Sequence, residues 1–96
     1  SKKIFKFILS ENKKQPTALN NLGYIFLMEN KVEQANAHFD KALALDPDYE
    51  LAMLNKVAYL AFIKDYSNAK KWLERIVKKF PDNQKAQQML GQLNNI

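Results

Sequence analysis

A repeat of fixed period limits what a chain can fold into more tightly than composition does, and this chain has a period of about 34 residues. Pro47 returns as Pro81 and Ala35 as Ala69, each one period on. Leu22-Gly23 returns as Leu90-Gly91 after two periods. Three segments, SKKIFKFILSENKKQ, ANAHFDKALALDPDY and AKKWLERIVKKFPDN, align in the same register from Ser1, Ala35 and Ala69. A unit this short cannot bury its apolar faces alone, so stacked copies must share a core.

Each unit reads as two helices. Residues 16–29 carry Leu19, Leu22, Ile25 and Phe26, and residues 33–45 carry Ala35, Phe39, Ala42 and Leu43, at the three-and-four spacing of an amphipathic helix. Pro16 suits a first helical position, where its missing N–H is no loss. Pro47 and Pro81 stop the helices before them. Asp48, and Asp82 or Asn83, are expected to cap the helices that follow. Asn30 stands where a left-handed turn residue is needed. No stretch alternates as a strand would. With 47% hydrophobic and 26% charged residues, two Gly and three Pro, disorder and linker character are excluded. The absence of Cys removes disulfides and thiolate metal sites. No apolar run approaches the roughly 20 residues of a membrane span.

These features resemble the tetratricopeptide repeat family. The first full repeat, residues 16–49, supplies Leu19, Leu22-Gly23, Phe26, Ala35, Phe39, Ala42 and Pro47 at the family's positions. The second, residues 50–83, supplies Met53, Leu60, Ala69, Leu73 and Pro81, with Lys56-Val57 in place of Leu-Gly. Residues 84–96 keep Leu90-Gly91 but have Gln87 and Asn94 where large apolar residues belong. Residues 1–15 match a second helix with no first helix before it. The resemblance implies an all-α, right-handed solenoid of antiparallel helix pairs, about six helices in one domain. Gly23 and Ala35 are small where two helices of a unit approach. Val57 is expected to open that contact slightly, with Lys56 snorkelling from its rim.

The ends differ. Residues 84–95 put Ala86, Leu90 and Leu93 on one side and polar residues elsewhere, as a capping helix does. Ile4, Phe5, Phe7, Ile8 and Leu9 are apolar nearly all round, which calls for burial. The chain, which opens on Ser, is therefore expected to be a piece of a longer one. It is also expected to pair two-fold through residues 1–9, with Ile4, Phe5, Phe7 and Ile8 as the self-association candidates.

Catalysis needs convergent titratable groups, and the sequence offers none. His38 is the only His, and it reads as a surface or seam residue. Gly23 and Gly91 both fall inside helices, so no phosphate loop exists. Neither a metal nor an organic cofactor is implied, and the chain is not expected to be an enzyme. Tyr66 and Trp72 read as packing residues. Net charge is +5, distributed as +4 over residues 1–14, −3 over 15–65 and +4 over 66–96. Lys70, Lys71, Arg75, Lys78 and Lys79 on one second helix could meet phosphates, but the acidic middle interrupts any basic track.

What the resemblance implies is a concave groove, lined by first helices, that binds a peptide. The inward residues would include Thr17 and Met28 from the first repeat and Leu51 and Ala61 from the second. The groove candidates are Asn20, Asn21, Tyr24, Leu27, Leu54, Asn55, Ala58, Phe62 and Lys85. The family's carboxylate clamp for chaperone tails would fall on Asn20, Tyr24, Asn55, Lys85 and Met89. Only Asn55 and Lys85 fit it, too few donors to offset the desolvation of a terminal carboxylate. The expected function is a non-catalytic protein-interaction scaffold. The alternatives are nucleic-acid binding through basic second helices, or a structural, oligomerising tail of a larger protein.

Overall fold

The computed structural model describes residues 15–95, which form five helices and no strand. They are α1 (Pro16–Met28), α2 (Val32–Leu45), α3 (Glu50–Phe62), α4 (Tyr66–Lys79) and α5 (Gln84–Asn94). Of the expected helix over residues 1–15, residues 1–14 lie outside the described residues, and Gln15 is the extended residue that precedes α1. Two compact units divide the chain, Ser1–Tyr49 and Glu50–Ile96. The first pairs α1 with α2; the second packs α3 on α4 and α4 on α5.

The repeat period extends to the loop hydrogen bonds. After α1, Lys31 N–H donates to the Phe26 carbonyl at 2.8 Å; after α3, Asp65 N–H donates to that of Leu60 at 2.8 Å. Both bonds close helix ends in the manner of a Schellman turn, which requires one left-handed residue. Asn30 (φ 66°) and Lys64 (φ 64°) supply it, one period apart. The chemistry of Asn30 predicts this role; that of Lys64 does not, because Lys gains nothing from the conformation. Asp46 N–H reaches the Ala42 carbonyl at 2.9 Å and Phe80 N–H that of Ile76 at 2.7 Å, immediately before the two prolines.

Caps differ between helices. Pro16 opens α1 in its first turn, as its fixed φ predicts. Asn83 caps α5, its side chain accepting from Ala86 N–H at 2.9 Å and donating to Glu50 Oε2 at 2.7 Å. Asp65 caps α4 by accepting from Asn68 N–H at 3.4 Å. Asp48 is not placed as expected: α3 begins at Glu50, so Tyr49 precedes the helix where Asn83 precedes α5.

In the first unit, α1 and α2 meet through Gly23. A Cβ on Gly23 would lie 2.6 and 2.7 Å from Phe39 ring atoms and 3.1 Å from the Ala35 carbonyl oxygen. Phe39 and Ala35 are completely buried, so the ring cannot move aside. One period later Val57 and Leu73 occupy the same positions and are also buried. The larger residue on α3 is paired with a smaller one on α4, and both border an apolar pocket between α3, α4 and α5. The Lys56 ammonium lies 5.4 Å from the Tyr59 ring centroid. Gly91 has nothing within 4 Å of an added Cβ.

The two glycines should therefore respond in opposite directions to the same substitution. Gly23→Ala overpacks a fixed ring and should cost about 1–3 kcal/mol. Gly91→Ala, an exposed helical site with open space, should gain about 0.5–1 kcal/mol from helix propensity. Urea unfolding followed by circular dichroism reads both, and equal effects would refute the packing assignment. Lys64→Asn should relieve part of the roughly 1–2 kcal/mol left-handed penalty and raise the melting temperature by a few degrees. A lowered melting temperature would show that the Lys64 side chain contributes more than its backbone costs.

Candidate functional site

An α-helix in a two-layer pair buries one stripe and leaves the opposite face to solvent. On α1 the uncovered face carries Asn21, Tyr24 and Met28, spaced three and four apart. Tyr24 is 49% exposed and Met28 64%. On α3 the equivalent positions, one period on, are Asn55, Ala58 and Phe62, with Leu51 one turn earlier. Leu51 and Phe62 are 56% and 53% exposed, whereas Leu54, Asn55 and Ala58 are half-buried. Lys85 stands exposed on α5.

Two groove candidates lie elsewhere. Asn20 is 3% exposed and Leu27 is buried. Asn20 has its interactions within the protein, and no buried side-chain polar atom among the described residues lacks a partner. Both residues therefore belong to the packing side of α1. The self-association candidates Ile4, Phe5, Phe7 and Ile8 lie outside the described residues. Ile25, Leu45, Ile63 and Tyr66 are exposed, which helical spacing did not predict. Ile25 has the right spacing for the buried stripe, and periodicity alone could not show that α1 has more apolar surface than α2 covers.

The remaining chemistry is sparse. His38 is half-buried, its Nδ1 2.9 Å from the Gln34 carbonyl oxygen and its ring 5.0 Å from that of Phe26. Among the described residues no group of three His, Asp or Glu could hold a metal ion, and no helix is long and apolar enough to cross a membrane. Lys70, Lys71, Arg75, Lys78 and Lys79 are all exposed on α4. The Arg75 guanidinium lies 5.3 Å from the ring centroid of half-buried Trp72.

A sequence model of the tetratricopeptide repeat matches residues 26–93. The chain belongs to the tetratricopeptide repeat family. Its all-α helix-pair fold follows that of solved tetratricopeptide structures. The MamA RS-1 ArsTM double mutant superposes with a TM-score of 0.81 at 29% identity, over 97% of this chain and 52% of that one. This tetratricopeptide chain thus spans about half the length of MamA. The second tetratricopeptide domain of human RPAP3, solved with the HSP70 peptide SGPTIEEVD, gives 0.79 at 20% identity, over 94% of this chain and 75% of that one. No curated protein matches in sequence.

Proposed function

We propose that the chain is a non-catalytic interaction module whose first helices hold a peptide segment of a partner protein. One observation carries this reading: large apolar side chains stay in water at equivalent faces of successive repeats. Tyr24 and Met28 on α1, and Leu51 and Phe62 on α3, are each about half exposed or more. Large apolar side chains left exposed along one helix face mark interaction surfaces. Asn21 and Asn55, one period apart, can each donate to and accept from a peptide backbone. Leu54 and Ala58 extend the apolar strip on α3, and Lys85 adds a charge on α5.

The peptide bound by human RPAP3 supports a protein or peptide partner in general. It does not carry over in detail. Helix α1 has no Lys or Arg, and Lys56 on α3 is turned to Tyr59. A partner carboxylate would lose its hydration with little charge to meet it. The partner segment is therefore apolar in its contacts. Nucleic acid along α4 is the weaker alternative, because Arg75 already lies against Trp72.

Selection of displayed random peptides on the wild-type protein tests the proposal. Peptides so obtained should lose about tenfold or more in affinity against Tyr24→Ala or Phe62→Ala, the loss typical of an interface hot spot. Unchanged affinity for both variants would remove these strips from the account.

A further inference from the structure

The outward stripes of the two second helices differ in charge. On α2 the buried residues Ala35, Phe39 and Ala42 define the packed side. Opposite them, at three-and-four spacing, stand Glu33, Ala37, Asp40 and Ala44, all exposed. One period on, α4 buries Ala69, Leu73 and Ile76 and exposes Ser67, Lys71, Glu74 and Lys78 along the same stripe. Lys70, Arg75 and Lys79 flank that stripe and are exposed too. The packed positions stay apolar from one repeat to the next, whereas the solvent side changes from acidic to basic. Packing gives no reason for the change, because none of these charged side chains enters the core.

The stripes also match position by position. Glu33 and Asp40 are seven residues apart, as are Lys71 and Lys78, so each pair spans about 10.5 Å along its helix axis. Laid antiparallel, α2 and α4 bring Glu33 onto Lys78 and Asp40 onto Lys71 at a single register. The same register sets Ala37 against Glu74 and Ala44 against Ser67. No like charges meet along the stripe, and the two small alanines let the helices approach. Placed parallel in repeat register, Asp40 would meet Glu74 instead. Asp40 has an interaction within the protein. A carboxylate with about four acceptor positions can take a lysine ammonium besides.

We infer that copies of this chain meet through these stripes, α2 of one copy lying antiparallel on α4 of the next, with Glu33 paired to Lys78 and Asp40 to Lys71. The occupant is a second copy because the chain itself bears both complementary stripes. The stripes differ, so the contact is heterologous, and each copy presents one of each kind. Exposed ion pairs are individually weak, so the association belongs to concentrated solutions, at roughly 0.1–1 mM. It uses second helices alone and does not rest on the peptide strips proposed above.

Sedimentation of the whole chain at about 20 mM and about 0.5 M sodium chloride is the test. At low salt the average mass should rise with concentration, and high salt should weaken the association about tenfold or more. Glu33→Lys with Asp40→Lys, and separately Lys71→Glu with Lys78→Glu, should each leave a monomer with unchanged helix content by circular dichroism. Mixed together, the two double variants should associate again. So should the quadruple variant, which keeps the wild-type net charge of +5. If a reversal lowers helix content, the neutral pair Glu33→Gln with Asp40→Asn should weaken association in the same direction. A wild type that stays monomeric up to about 1 mM at low salt, or folded variants that fail to associate on mixing, would overturn the inference. Association that survives both high salt and the double variants would also overturn it, placing the contact on another surface, Ile4, Phe5 and Phe7 included.

Discussion

The fold of the first unit depends on the absence of one carbon atom. Where a Cβ of Gly23 would sit, the ring of Phe39 lies 2.6 Å away, so α1 and α2 approach backbone to ring with no side chain between them. That approach brings Ala35 and Ala42 into full burial and aligns the helices as an antiparallel pair. It also determines which faces stay outside, because a helix clamped on one stripe must show the other. The exposure of Tyr24 and Met28 is a consequence of the same contact. In the second unit the same two positions hold Val57 and Leu73. Bulk has moved from one helix to its neighbour, and the repeat survives because the pair, rather than either residue, is what the geometry constrains.

The parts legible in the sequence were those with a local physical cause. Pro16 and the two later prolines mark helix limits through fixed φ and a missing donor. Asn30 announces a left-handed turn through its own chemistry. The period carried that turn to residue 64, yet Lys64 gives no sign of it when read alone. Asp48 misled because a good capping side chain lay two residues before a helix that starts at Glu50. At this helix, position relative to the repeat outweighed residue type: Asn83, which does cap, aligns with Tyr49.

Candidate site residues were less legible, for a different reason. Helical spacing says which residues share a face and not which of two apolar faces is covered. Asn20 shows the difficulty: a polar residue on a short helix reads as solvent-facing, but it is buried with its hydrogen-bonding capacity met. Leu27 shows the converse, an apolar residue read as a contact that packing takes up.

The central claim is that residues 23 and 39 act as a pair, with the size of one dictating the size of the other. A double-mutant cycle on Gly23→Val and Phe39→Leu measures this directly, since together they copy the Val57 and Leu73 combination of the second unit. Each single change should destabilise the protein, Gly23→Val by about 2 kcal/mol or more through overpacking and Phe39→Leu by a similar order through lost volume. The double variant should be more stable than Gly23→Val alone, with a coupling energy of about 1 kcal/mol or more. Additive losses, leaving the double variant the least stable of the four proteins, would contradict the account.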